Sequence, residues 1–203
     1  MTLKSLSAIG IVVFLITAGS PFLLAQGGSA QRSESSSPSD WSKALVDSTL
    51  TRYPDAMKFG GWGYARSLYL FGQYLVYKRT HDPRYLIYIK QWIDTHIDDN
   101  GKLDREINAL DYVLPANLLI ILYDETGEEK YKKALEIFRH RFDDYPRTTD
   151  GGFWHATVPS RQWQLWGDGI FMGMPFLVRY GETLNDAKYA DDEATKQILI
   201  YYS

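Results

Sequence analysis

The chain has 203 residues, a formal net charge of −3 and no cysteine. This slightly acidic balance argues against nucleic acid and anionic membrane surfaces as partners. The absence of cysteine excludes disulfides, thiolate metal sites and a lipid-modified cysteine.

The first residues have the pattern of a secretory signal peptide. Lys4 supplies the positive charge, an apolar run follows, and Ala25 or Ala30 suits a small-residue cleavage site. An uncleaved membrane anchor is the alternative, which the Gly, Ser and Pro residues within the run disfavour. We therefore predict an exported protein, periplasmic or extracellular, without stable membrane association after cleavage. The predicted segments are a signal peptide over residues 1–25, a polar linker over 26–40 and a folded part over 41–203.

A repeated turn organises the folded part. Each copy has a Tyr, then Thr three residues later, then a polar turn, then Arg or Lys before a second Tyr; the copies are Tyr77–Tyr85, Tyr123–Tyr131 and Tyr180–Tyr189. A mostly apolar helix precedes each turn and a charged, striped helix follows it. Repeats of this length predict stacked helical hairpins, with apolar helices inside and striped helices outside. The predicted helices are residues 42–57, 64–79, 83–97, 114–126, 128–142, 170–180 and 186–202.

The hairpin repeat also predicts which loops lie together. If the Tyr turns occupy one end of the ring, the starts of the inner helices share the opposite rim. Those starts follow residues 60–64, residues 108–111 and a long loop over 146–168. The repeat therefore places on one face Trp62, Asp111, His155 and Asp168.

Three hairpins are too few to close a ring. An open arrangement would expose the apolar inner helices to water. We therefore expect a fragment of a longer protein, a truncated product, or a partner chain that completes the ring.

The stretch from Pro146 to Phe176 is the strongest candidate for a functional site. It is rich in aromatic residues and glycine, and it presents Asp168 between two glycines just before an apolar helix. Aromatic rings stack on sugars, and a carboxylate can act as acid or base. For Asp168 and Asp111 the alternative role is a helix N-cap.

Other residues are candidates for substrate binding, each with a structural alternative. Core packing is the alternative for the aromatic rings, and an ordinary loop histidine is the alternative for His155. Arg147 could bind a carboxylate or form a structural ion pair. His81, His96 and His140 lack ligand spacing, so we predict no metal. The candidate aromatic residues are Trp62, Tyr64, Trp154 and Trp166.

Two motifs resemble glycoside hydrolase family 105, the unsaturated rhamnogalacturonyl hydrolases, and the related family 88, the unsaturated glucuronyl hydrolases. They are LDYVLPANLLIILYDETGEEKYKKA and PRTTDGGFWHATVPSRQWQLWGDGIFMGMPF. The resemblance implies an all-α (α/α)6 toroid of helical hairpins, about half of it present. It also implies two site aspartates, Asp111 and Asp168, and a substrate-contacting His155. The chain departs from the family pattern at Asn117, Ala156 and Gly167.

The resemblance implies removal of a 4,5-unsaturated uronyl residue from pectin or rhamnogalacturonan oligosaccharides, without a cofactor. Asp168 would give a proton to C4 and then take one from water. Asp111 would stay ionised and stabilise developing positive charge. A non-catalytic or inactive carbohydrate-binding scaffold is the alternative.

Overall fold

The computed structural model describes residues 39–202, so the predicted signal peptide and most of the predicted linker lie outside the described residues. This part of the chain is all-α, as predicted, with isolated antiparallel bridges and no β-strand. Its α-helices are α1 (Trp41–Arg52), α2 (Tyr64–Thr80), α3 (Pro83–Asp94), α4 (Ala116–Thr126), α5 (Glu129–His140), α6 (Gly169–Leu184) and α7 (Ala187–Tyr202).

The helices pack as the predicted hairpins. α2 pairs with α3, α4 with α5, and α6 with α7, while α4 also contacts both α2 and α6 in an inner layer. α4 is buried at every position from 116 to 122. The outer helix α5 instead buries one stripe, which consists of Tyr131, Ala134, Leu135 and Phe138. Burial all round and burial along one stripe distinguish inner from outer helices, as the hydrophobic pattern predicts.

The repeated turn has a backbone explanation. Each inner helix is followed by a residue in the left-handed conformation, whose N–H donates to the carbonyl four residues earlier. This geometry ends a helix because it satisfies one of the last free carbonyls. The left-handed residues are His81, Gly127 and Asn185, and the accepting carbonyls belong to Tyr77, Tyr123 and Gly181.

The second tyrosine of the repeat ties an outer helix to its neighbour in two of the three copies. The Tyr85 hydroxyl donates to Asp47 at 2.8 Å, and the Tyr131 hydroxyl donates to Asp94 at 2.9 Å. Both rings are fully buried. These bonds give each ring a fixed partner, which accounts for tyrosine rather than phenylalanine at these two positions.

The first helix is shorter than predicted. We expected a helix over residues 42–57, but α1 ends at Arg52 and a short 3₁₀ helix, Ala56–Phe59, follows it. Pro54 explains the break, because the residue before a proline disfavours helical geometry. At the other end the Asp40 side chain accepts a hydrogen bond from the Lys43 N–H. The last residue of the predicted linker is therefore the N-cap of α1.

Trp62 belongs to the hydrophobic core. Only 2% of its surface is exposed, and its ring stacks on Trp92 at 5.6 Å and on Phe138 at 5.8 Å. Its indole N–H donates to the Tyr112 carbonyl at 2.8 Å. The prediction that Trp62 stacks on a sugar is therefore wrong, and the core alternative is correct.

Part of the inner layer is open to solvent. Leu68 and Leu75 on α2 are 42% and 55% exposed, and Phe171 on α6 is 51% exposed. This exposure is what we expected of three hairpins that do not close a ring. No helix within residues 39–202 is both long enough and apolar enough to span a membrane.

The buried position of Trp62 leads to a stability prediction. We expect Trp62→Ala to lower the free energy of unfolding by about 3–5 kcal/mol, because it leaves a cavity between two aromatic rings. Trp41, which is 67% exposed, is the matched control, and Trp41→Ala should change the free energy by less than about 0.5 kcal/mol. Urea unfolding followed by circular dichroism measures both values. Equal effects of the two substitutions would contradict the core assignment.

Candidate active site

Backbone pairing brings the long loop against the start of the second inner helix. Ala109 and Ala156 form an antiparallel bridge. The Leu110 N–H donates to the His155 carbonyl at 2.9 Å, and the Thr157 N–H donates to the Asn108 carbonyl at 2.8 Å. Asp111 follows this bridge directly, so its carboxylate lies beside His155.

The imidazole of His155 lies between the two carboxylates. Its Nε2 is 3.5 Å from Asp111 Oδ1, and its Nδ1 is 3.9 Å from Asp168 Oδ1. The structure thus brings together Asp111, His155 and Asp168, which the sequence predicts on one face. Both distances are longer than good hydrogen bonds, so these polar atoms keep capacity for a ligand.

Asp168 occupies the N-cap position of α6, but the side chain of neither aspartate makes a capping hydrogen bond. Asp168 precedes α6, but its side chain accepts no hydrogen bond from the first turn of that helix. Asp111 lies inside a short 3₁₀ helix, Leu110–Tyr112, that begins after Ala109 and has no side-chain cap. Side-chain capping therefore fails as the alternative role for both residues, and their carboxylates are not used to end or begin a helix.

The three residues differ in exposure. His155 is 5% exposed, whereas the Asp168 side chain is 51% exposed and the Asp111 side chain 31%. Asp111 Oδ1 and His155 Nδ1 are shielded from solvent and have no hydrogen-bond partner in the described part of the chain. Buried polar atoms without partners carry a desolvation cost, which a bound ligand would remove.

Burial raises the pKa of the Asp111 carboxyl. His155 opposes this rise in the pKa, and the neighbouring Asp168 carboxylate adds to it. The raised pKa works against the ionised form that the sequence analysis assigns to Asp111. It is also what a general acid needs, because such a group must hold a proton nearer to neutral pH.

Trp166 covers one face of the site. Its ring stacks on the His155 imidazole at 4.4 Å with planes 7° apart, and the Arg161 guanidinium lies 4.2 Å from the ring centre. The indole N–H donates to the Gln164 side chain at 3.0 Å. About 36% of Trp166 is exposed, so part of the ring that stacks on the histidine stays accessible to solvent.

Tyr64 and Trp154, which directly precedes His155 in the chain, are the other two aromatic candidates. Tyr64 is the first residue of α2 and is 42% exposed. Trp154 packs on the ring of Trp163 at 4.9 Å. No hydrogen bond, ion pair or ring contact joins either residue to Asp111, His155 or Asp168. Their roles in substrate binding stay predictions.

Arg147 has a structural role. Its two terminal nitrogens bind both carboxylate oxygens of Glu193, at 2.7 and 3.1 Å, and its guanidinium lies 4.0 Å from the ring centre of Phe153. Glu193 is itself 9% exposed. This ion pair favours the structural alternative for Arg147, and binding of a substrate carboxylate stays a prediction. The pair fixes the start of the long loop to α7.

Tyr201 is a site residue that the sequence analysis missed. Gly169 has no Cβ, and a Cβ there would lie 2.9 Å from the Tyr201 hydroxyl and 3.8 Å from His155 Nδ1. The only signal in the sequence is the spacing on α7, because Gln197 lies four residues before Tyr201 on the same side of the helix. Gln197 contacts the loop by accepting a hydrogen bond from the Phe153 N–H.

A groove lies between α2, α4 and α6, and among its lining residues are Phe71, Phe171, Pro175 and Arg179. The residues that line it do not include Asp111, His155 or Asp168. Residues 39–202 contain no group of three or more His, Cys, Asp or Glu side chains arranged as metal ligands.

Comparisons with known proteins show the family to which the chain belongs. A sequence model of Glycosyl Hydrolase Family 88 matches residues 41–203. The unsaturated rhamnogalacturonyl hydrolase YesR of Bacillus subtilis strain 168 is 25% identical over 136 residues, which cover 64% of this chain and 38% of YesR.

Solved structures give the same picture. A family 105 glycoside hydrolase from C. acetobutylicum is 34% identical with a TM-score of 0.71, over 79% of this chain and 44% of that protein. A possible family 105 member from Klebsiella pneumoniae is 21% identical with a TM-score of 0.68, over 91% and 53%, and shows the fold alone. The chain thus spans about half the length of these structures or less. The predicted fold, part of an (α/α)6 toroid, is confirmed.

The raised pKa of Asp111 predicts a pH-dependent effect of Asp111→Asn on stability. The folded state binds the Asp111 proton more tightly than the unfolded state, whose carboxyl has a pKa near 3.8. Stability from this proton is present below that pKa and is lost as pH rises through the folded value. The asparagine side chain does not titrate, so the variant does not lose stability in this way. The stability of Asp111→Asn relative to wild type should therefore increase with rising pH.

Urea unfolding at about pH 3 and about pH 7 measures this difference, since the two values bracket an ordinary carboxyl titration. Asp191→Asn, at an exposed position on α7, is the control and should show no such trend. A relative stability of Asp111→Asn that falls with rising pH would overturn the assignment.

Proposed function

The chain belongs to glycoside hydrolase family 88, in the group that includes family 105, and we propose that it removes a 4,5-unsaturated uronyl residue from oligosaccharides. The observation that carries the proposal is the pair of uncapped carboxylates, Asp111 and Asp168, on either side of a buried histidine. Membership of this family relates the chain to glycosidases. The chain spans less than half of YesR, so its own activity is part of the proposal.

The substrate's double bond determines the chemistry. The ring oxygen and C5 belong to an enol ether, so a proton added at C4 leaves positive charge shared between C5 and the ring oxygen. Water adds to C5 and loses a proton, and the resulting hemiketal opens and releases the neighbouring sugar. This route needs a single group that first donates a proton and then accepts one. It differs from displacement at the anomeric carbon by two carboxylates.

Asp168 suits the role of acid and base. Its side chain is half exposed, so a substrate can reach it, and its carboxylate has no hydrogen-bond partner among the described residues. Asp111, which is less exposed, would stabilise the charge that develops at C5 when it is ionised, and burial, which raises its pKa, works against that form. The same raised pKa would suit a general acid, so exchange of the two roles is the competing assignment.

His155 and Trp166 complete the proposed site. The buried imidazole would donate a hydrogen bond to a hydroxyl or to the uronate, and its stacked indole would hold it in that orientation. We propose a pectin-derived substrate, such as rhamnogalacturonan fragments, because the relative YesR is an unsaturated rhamnogalacturonyl hydrolase. Export to the periplasm or the medium, where such fragments form, stays a prediction.

A non-catalytic carbohydrate-binding scaffold is the second candidate. The observation that favours it is length, since the chain spans 44% of the solved C. acetobutylicum enzyme. Binding of an unsaturated oligosaccharide without loss of its double bond would support this candidate.

We expect Asp168→Asn to reduce turnover about 10²- to 10⁴-fold, because the variant cannot transfer a proton at C4. The assay follows the ultraviolet absorbance of the conjugated double bond in oligosaccharides made by a polysaccharide lyase. Substrate affinity should change little, because the amide keeps the shape of the carboxyl group.

Asp191→Asn on the exposed side of α7 is the control and should retain full activity. If Asp168→Asn stays active while Asp111→Asn does not, the two roles are exchanged. If the wild-type chain binds the oligosaccharide but its absorbance stays constant, the scaffold candidate replaces the hydrolase.

A further inference from the structure

The Tyr201 hydroxyl packs against the turn that presents Asp168. Tyr201 lies in the last turn of α7, and its hydroxyl is shielded from solvent. The absence of a Cβ at Gly169 leaves room for this hydroxyl, for the Leu110 side chain and for His155. A Cβ there would lie 2.9 Å from the hydroxyl and 3.1 Å from Leu110 Cδ1. Three elements of the fold therefore meet at the residue that follows Asp168.

The turn itself is held by few backbone contacts. The Gly169 N–H donates to the Trp166 carbonyl at 2.7 Å, and the Met172 N–H donates to the Asp168 carbonyl at 2.9 Å. Nothing in these bonds fixes the Asp168 side chain. The His155 Nδ1 lies 3.9 Å from Asp168 Oδ1, and the Tyr201 hydroxyl lies at the same turn, because both border the space that a Gly169 Cβ would occupy.

The hydroxyl of Tyr201 has a proton to donate. Burial raises the pKa of this phenol, the Trp166 backbone lowers it, and the Asp168 carboxylate raises it again. The Trp166 backbone lies close enough to lower the pKa of the phenol, but it forms no hydrogen bond of normal geometry with the hydroxyl. A phenol beside a carboxylate stays protonated and is therefore a hydrogen-bond donor.

The place of Tyr201 distinguishes it from the other tyrosines of the fold. The hydroxyls of Tyr85 and Tyr131 donate to aspartates, whereas those of Tyr69, Tyr88, Tyr145 and Tyr189 are buried without a partner, as is that of Tyr201. Of these unpartnered hydroxyls, that of Tyr201 packs against the glycine that follows Asp168 and borders the same space as His155 Nδ1. The charge of Asp168 also raises the pKa of this phenol, although no hydrogen bond joins the two groups in the structure.

We propose that Tyr201 is a positioning residue, whose hydroxyl braces the Trp166–Gly169 turn and donates its free proton to the Asp168 carboxylate. This hydrogen bond would hold the carboxylate toward the substrate and next to His155. The catalytic consequence rests on the proposed function of Asp168, but the contact itself does not.

The first test is spectroscopic and needs no turnover. The full chain is labelled with ¹³C at the aspartate side-chain carboxyl carbons, and Asp168→Asn identifies the Asp168 resonance. We expect Tyr201→Phe to move this resonance by more than its linewidth and to leave the unfolding temperature unchanged. Tyr202→Phe, 90% exposed on the same helix, and Tyr189→Phe, another buried and unpartnered hydroxyl, are the controls and should not move it.

The second test separates positioning from binding. We expect Tyr201→Phe to lower kcat about 10- to 100-fold with KM changed less than about twofold, because a misplaced carboxylate slows proton transfer without weakening affinity. An equal rise in KM would overturn the positioning role.

The two tests keep this inference distinct from the proposed function. An unmoved Asp168 resonance in Tyr201→Phe overturns the inference, whether or not the chain is active. A moved resonance in a wild-type chain without hydrolase activity overturns only the proposed function. If Tyr201→Phe does not fold, Tyr201→Leu replaces it, since it also removes the hydroxyl without changing a residue next to Asp168, and an unmoved Asp168 resonance again overturns the inference.

Discussion

The site depends on the short antiparallel pairing between the backbone before Asp111 and the loop that carries His155. Two hydrogen bonds, from Leu110 to His155 and from Thr157 to Asn108, join segments almost fifty residues apart in sequence. A third, from His155 to the Gln164 carbonyl, folds the loop back toward Asp168. Because side-chain positions follow from these backbone bonds, the two carboxylates meet a buried imidazole without a direct hydrogen bond between them. As a result of that arrangement, Asp111 Oδ1 and His155 Nδ1 have no hydrogen-bond partner in the described part of the chain.

Much of the fold can be predicted from the chain because its turns repeat for a physical reason. Each Tyr turn ends an inner helix with a left-handed residue, and His81, Gly127 and Asn185 look unrelated until this shared backbone role is known. The contrast between α4, buried all round, and α5, buried along a stripe, then separates inner from outer layers. The break at Pro54 could have been predicted by the same local rules.

The site could be predicted only in part. Repeat geometry was enough to bring together Asp111, His155 and Asp168, since it concerns which loops share a rim. It could not tell that Trp62 turns into the core or that Glu193 pairs with Arg147, because both depend on side-chain packing between distant helices. Tyr201 lies on an outer helix, where a pattern of inner and outer layers predicts no site residue. Its contact with the turn that carries Asp168 can be found only from the packing around Gly169.

The central claim is that Asp168 adds a proton to C4 of an unsaturated uronyl residue. The most direct measurement is the reaction of a lyase-generated oligosaccharide in deuterium oxide, with the product examined by NMR. At early times, before the C4 hydrogens exchange with solvent beside the new C5 ketone, the account predicts one deuterium at C4 in a single orientation, and no such product from Asp168→Asn. Release of the neighbouring sugar without deuterium at C4 would contradict it, because the bond would then have broken at the anomeric carbon.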